Sequence, residues 1–136
     1  DLPKLPNNVH AFDWVPQLKV LEEADCAINT GGINSINECL YFGVPMLVYS
    51  LGQFDQDGDA ARVAYHGVGI AGDIVRDRPA PVRQYIQDLL EQPQYQTQVA
   101  QMQACYHRYG QQNRVAQVVD ALLQQEISPD REAVLS

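Results

Sequence analysis

The feature that most limits how this chain can fold is a short apolar run that ends in two glycines and restarts as a helix. Cys26-Ala27-Ile28 lies at the centre of a buried-strand candidate, Asp25 to Asn29, which leads directly into Thr30-Gly31-Gly32. A helix pattern follows from about Ile33 to Phe42. Gly43 fits its C′ position and Pro45 stands just beyond, as a helix stop requires. Met46-Leu47-Val48-Tyr49 is a second buried strand, Ser50 to Gln53 a loop, and Asp55 or Gln56 to His66 a helix closed by Gly67. Val68 to Ala71 is a further short strand. Strands alternating with helices at this pitch require parallel βαβ units in a sheet covered on both faces. Upstream, Val9 to Trp14 reads as a strand and Gln17 to Ala24 as a short helix. The fold predicted is α/β: a Rossmann-like parallel sheet of about four strands, followed by C-terminal helices.

The helical character begins after Pro81. Val82, Tyr85, Ile86, Leu89 and Leu90 form one apolar stripe, Val99, Met102 and Tyr106 a second, and Val115, Val118, Val119, Leu122 and Leu123 a third. All three are expected to pack into the core. Residues 1–80 thus hold the βα units, 81–126 a helical part, and Ile127 to Ser136, which lacks a pattern, reads as a frayed tail.

Composition narrows the function. With 136 residues, 46% of them hydrophobic, the chain is long enough for one domain with a core of its own. A net charge of −8 disfavours a nucleic-acid surface, which needs a basic stripe. It leaves room for a small anion held by backbone N–H groups. Cys26, Cys39 and Cys105 are scattered in apolar contexts and read as free thiols, with no metal-ligand spacing. No apolar run approaches the ~20 residues that span a bilayer. The start, Asp1-Leu2-Pro3-Lys4, lacks the pattern of a signal peptide, so the expected location is cytoplasmic.

Four groups of residues can carry chemistry, each with a plainer alternative. Gly31-Gly32 between strand and helix permits close approach of a phosphate to backbone N–H groups and to the positive end of a helix dipole; it is equally a tight turn that binds nothing. Ser35 and Glu38 have the spacing of a capping box. Alternatively Ser35 or Asn34 meets a phosphate oxygen, and Glu38 accepts from a ribose diol. Trp14, the only tryptophan, is a half-buried core aromatic or a plate for a flat base, with Gln17 three residues on to reach the base edge or ribose. Asp55-Gln56 complements a helix dipole or offers acceptors and donors to sugar hydroxyls.

As an ordered set, Pro6-x-x-Val9, Trp14-Val15-Pro16-Gln17, Gly31-Gly32-x-Asn34-Ser35-x-x-Glu38, Gly43-Val44-Pro45, Asp55-Gln56 and Ala61-Arg62-Val63 resemble the C-terminal, donor-binding domain of family 1 glycosyltransferases of the GT-B fold. The likeness is to the bacterial macrolide-glycosyltransferase type of UDP-glycosyltransferase and covers roughly residues 6 to 123. It implies the donor half of an inverting enzyme that moves a hexose from a UDP-sugar to a small hydrophobic acceptor. Trp14 would stack on uracil, Gln17 would touch base or ribose, and Glu38 would hold the ribose hydroxyls. The Thr30, Gly31, Gly32, Asn34 and Ser35 turn would hold the diphosphate, and Asp55 and Gln56 the sugar. No metal or other cofactor is implied, because backbone amides stabilise the leaving diphosphate. Thr30 stands where the family has histidine; its hydroxyl donates but brings no charge. Asp59 replaces a frequent asparagine.

The family's catalytic base lies in a separate N-terminal acceptor domain. None of His10, His66 and His107 has its context. The resemblance therefore places no catalytic residue in this chain. It makes the chain one partial nucleotide-sugar-binding domain, a fragment or subunit that meets its acceptor through another domain or chain. The alternatives are a non-catalytic nucleotide-sugar-binding module, and a sugar-nucleotide epimerase or lipid-linked-sugar transferase on the same scaffold. Trp14 to Gln17 argues against the last two.

Overall fold

The computed structural model describes residues 5–126. Helix α1 (Gln17–Leu21) leads into β1 (Ala27–Asn29), α2 (Ile33–Phe42), β2 (Met46–Val48), α3 (Gln56–Tyr65) and β3 (Gly69–Ala71). Three helices follow: α4 (Pro79–Glu91), α5 (Pro93–Gln112) and α6 (Arg114–Glu126). The strands pair in the order β1-β2-β3, all parallel, with Ile28 opposite Leu47 and Leu47 opposite Ile70. This is the expected α/β architecture, with three strands among the described residues rather than about four.

The central strand explains why the sheet forms where it does. Met46, Leu47 and Val48 are fully buried, with β1 and β3 on either edge and helices on the faces. Around them pack Leu21, Ile36, Cys39, Leu40, Val63 and Val99, drawn from α1, α2, α3 and α5. Burial pushes the Cys39 thiol up to about 11, with the Glu38 carboxylate as a lesser cause, so it stays protonated at neutral pH. Gly43 ends α2 in the left-handed conformation (φ 72°), and its N–H bonds to the Leu40 carbonyl. A Cβ there would also lie 2.8 Å from Gln103 Oε1 of α5, so glycine lets the two helices meet. At the C-terminal end of β2, the Tyr49 hydroxyl donates to Asp77 Oδ2 (2.9 Å) and ties the sheet to the approach of α4.

Three expectations need correction. Val9 to Trp14 is not a strand: its backbone joins no ladder, and its side chains are exposed. A strand pattern makes a strand only when a neighbour supplies the other half of the ladder, and none does among the described residues. Helix α1 stops at Leu21, short of Ala24. The third apolar stripe, on α6, is not core. Val115 is 80% exposed, and Val118, Val119, Leu122 and Leu123 are also exposed. Asn113, in the left-handed conformation (φ 45°), breaks the helix between α5 and α6, and no other element among the described residues covers the α6 stripe. The first two stripes do reach the core, through Leu89 and Val99. The tail from Ile127 to Ser136 lies outside the described residues.

Candidate functional site

Strands β1 and β2 end on the same side of the sheet, and each feeds a helix that starts there. Between the two helix starts lies a cleft of about 520 Å³. On one wall stand Gly31, Gly32, Asn34 and Ser35; on the other, Asp55 and Gln56. Six of the ten residues singled out from the sequence therefore share one cleft, at the carboxyl ends of parallel strands, where ligands of open α/β sheets sit.

The Gly-Gly turn is built for contact between these walls. Gly31 has φ 83°, and a Cβ on it would lie 2.9 Å from Val48 Cγ1 and 3.3 Å from the Gln56 carbonyl oxygen. Its N–H donates to Asn29 Oδ1 (2.8 Å), which folds the chain back across Thr30. Gly32 is different: φ is −65° and nothing lies within 4 Å of its missing Cβ. It is the N-cap of α2 and carries no side chain to cap it. The first bond of the helix runs from Ile36 N–H to the Gly32 carbonyl. The N–H groups of Ile33, Asn34 and Ser35 are thus free of helix partners, and all three residues line the cleft.

Ser35 is the third residue of α2, so it cannot be its N-cap, and the capping-box reading of Ser35 and Glu38 falls. The two side chains, one helical turn apart, are instead joined from α1. Gln17 Nε2 donates to Glu38 Oε2 (2.6 Å) and to Ser35 Oγ (3.3 Å). Gln17 and Ser35 also line a smaller hollow of about 170 Å³ beside β1, so Ser35 borders both spaces. Trp14 is 78% exposed, which removes the core-aromatic reading. Thr30 is exposed in the turn and lines neither space.

Asp55 is the N-cap of α3, but its carboxylate makes no capping bond. Gln56 Oε1 accepts from the Leu51 N–H (3.1 Å), which braces the loop after β2. Four more residues shape the site and were not singled out from the sequence as its members. Asn29 holds the turn. Phe54, fully exposed at φ 52°, forms the rim. Asp59 and Arg62 line the cleft along α3. Spacing from Asp55 marks the last two: steps of four and three residues keep them on one helix face.

A larger hollow, about 700 Å³, lies beside the outer edge of β3 and the C-terminal end of α3, lined by Tyr65, His66, Gln94 and Tyr95 among others. It is remote from the Gly-Gly turn and gathers none of the ten residues. All three histidines are exposed; the His107 ring lies tilted against Tyr41 (4.7 Å between centroids) and bonds its carbonyl. Among the described residues no three His, Cys, Asp or Glu side chains come together as metal ligands, and no helix is long and apolar enough to cross a membrane.

Residues 1–122 match the family described as Erythromycin biosynthesis protein CIII-like, C-terminal domain. The chain belongs to that family. It is a glycosyltransferase C-terminal domain of GT-B type. The uncharacterized UDP-glucosyltransferase YdhE of Bacillus subtilis (strain 168) is 31% identical over 131 residues, covering 93% of this chain and 32% of that protein. The solved glycotransferase of kitacinnamycin superposes with a TM-score of 0.82 at 32% identity, over 89% of this chain and 31% of its own. Glycosyltransferase VinC, solved in complex with dTDP, gives 0.72 at 26% identity over 84% and 30%. The domain therefore spans about a third of the length of these relatives.

Proposed function

We propose that this domain is the donor-binding part of an inverting glycosyltransferase. It would hold a nucleoside diphosphate hexose, UDP-linked in our reading, for transfer to a small hydrophobic acceptor. One observation carries the proposal: the uncapped start of α2 faces Asp55 and Gln56 across a cleft of about 520 Å³, with Gln17 and Glu38 already paired beside it. A diphosphate suits the first wall, where N–H groups and the helix dipole meet it without a side chain in between. Hydroxyls suit the second, where a free carboxylate and an amide offer acceptors and a donor. Glu38 would accept from the ribose diol, with Gln17 moving from Glu38 to the base or ribose. Exposed Trp14 would stack on the base.

The chemistry follows from that placement. The acceptor hydroxyl attacks the anomeric carbon, the bond to the diphosphate oxygen breaks on the opposite face, and the α2 amides take up the developing charge. No metal enters this scheme. The proton of the acceptor would leave to a general base outside this domain, in the part that would also hold the apolar acceptor site. The test is calorimetry of the isolated domain with UDP, dTDP and UDP-glucose, alongside an assay of acceptor-dependent UDP release. Binding of a nucleoside diphosphate without transfer is expected. Failure to bind any of the three would overturn the donor assignment, and sustained acceptor-dependent release by this chain alone would overturn the need for a second part.

A further inference from the structure

We propose that Arg62 is the anion-recognising side chain of the donor cleft, held in place by Asp59 and directed at the diphosphate. The inference rests on the donor reading above and adds a charged residue to it. Among the described residues that line the cleft, Asp55 and Asp59 are negative and Arg62 is the one cation. Thr30, in the turn, brings no charge. In a domain of net charge −8, a local positive group adds to the attraction that backbone dipoles exert on a diphosphate.

The pair is built asymmetrically. Asp59 is the only buried charged residue among those described, at 7% exposure, whereas the Arg62 side chain is 73% exposed. Arg62 Nη1 donates to Asp59 Oδ1 (2.9 Å). That single bond fixes the guanidinium at one corner, and its other N–H groups have no partner among the described residues. A planar fork anchored on one nitrogen and free on the others is suited to bridge a carboxylate and a phosphate. Both residues, with Ile33 of α2, line the cleft and an adjoining apolar hollow of about 240 Å³ between α2, α3 and α5. Arg62 thus stands on the α3 wall, across the cleft from the free N–H groups of α2. Asp59 lowers the net charge of that wall, so its carboxylate positions Arg62 and at the same time opposes the anion.

This dual role makes two neighbouring substitutions act in opposite directions, which a purely structural ion pair would not do. The full chain is titrated by calorimetry with UDP and uridine, and with dTDP and thymidine, at low and high salt. Arg62→Gln is expected to weaken the diphosphates about tenfold, the lower end for a charge-assisted hydrogen bond, and to leave the nucleosides unchanged. Its loss should be smaller at high salt. Arg62→Lys should fall between, keeping charge but not the fork. Asp59→Asn retains an acceptor for Nη1 and removes the opposing charge, so it should strengthen diphosphate binding by about threefold.

Unchanged UDP affinity in Arg62→Gln, with wild type binding UDP, overturns the inference and leaves the donor reading standing. So does an equal loss for UDP and uridine, or weakening by Asp59→Asn as large as that by Arg62→Gln. Wild-type protein that binds neither UDP nor dTDP overturns both together. Thermal melts accompany each variant, and Arg62→Lys decides the matter if Arg62→Gln does not fold.

Discussion

The two walls of the cleft begin alike and end differently. Both are helix starts reached from the carboxyl end of a strand, and neither has a side-chain cap. The α2 wall has no acid in its first turn and begins with two glycines. The α3 wall begins Asp55-Gln56-Asp57 and adds Asp59 one turn on. The first leaves its helix dipole exposed to a ligand; the second neutralises its own with carboxylates. A single fold device, repeated, presents bare N–H groups on one side and carboxylates on the other. The difference lies in first-turn side chains and in the cap backbone, which is extended at Gly32 (φ −65°, ψ 132°) but not at Asp55 (φ −90°, ψ 8°).

The largest effect expected on this contrast comes from the turn that separates the walls. Gly31→Ala puts a Cβ against Val48 and Gln56 in a left-handed backbone, which should cost about 2–4 kcal/mol of stability. Gly32→Ala, with open space and φ −65°, should leave the melting transition nearly unmoved and act on ligand affinity instead. Chemical denaturation of both variants checks this. Equal stability losses would mean that the two glycines have one role, not two.

How much of this was legible depends on the range of the forces involved. Helix α2, its stop at Gly43 and the fully buried β2 were readable, because their signals are local: a cap residue, a proline, a run of apolar side chains. Val9 to Trp14 carries a strand pattern without forming a strand, because a strand needs a partner that its own residues do not encode. The α6 stripe is apolar yet exposed for a related reason: periodicity tells which face is apolar and not what covers it. The Ser35 and Glu38 spacing fitted a capping box, yet the helix begins three residues earlier at Gly32, and only the position of α1 shows that Gln17 joins the two. Asp59 stood out as a change from the family pattern, but its burial and its bond to Arg62 are tertiary facts.

Smaller effects sharpen the division of labour. Glu38→Gln on the α2 wall should weaken UDP by about 1.5–3 kcal/mol, the range for hydrogen bonds to a charged group, with little change in melting, since Glu38 closes no cap. A stability loss with unchanged affinity would return Glu38 to a structural role. Asp55→Asn at the start of the α3 wall should weaken UDP-glucose by about 1 kcal/mol and leave UDP alone, because only the sugar reaches that end of the wall. Equal losses for both ligands would mean that the two walls do not divide diphosphate from sugar. The smallest change is a gain. Thr30→His places an imidazole beside the turn, and its cation, which forms as pH falls through about 6.5, adds attraction for a diphosphate. UDP affinity should therefore rise relative to wild type toward acid pH and match it toward alkaline pH. Identical pH profiles would place position 30 away from the diphosphate.

The central claim is that the start of α2 receives a diphosphate. Amide chemical-shift mapping of the isotope-labelled domain during titration with UDP tests it most directly. The account expects the largest, saturable shifts at the N–H groups of Gly32, Ile33, Asn34 and Ser35, with smaller ones at Asp55 and Gln56. Shifts that cluster instead around Tyr65, His66, Gln94 and Tyr95, in the larger hollow beside β3, or no saturable shift at Gly32 to Ser35, would contradict it.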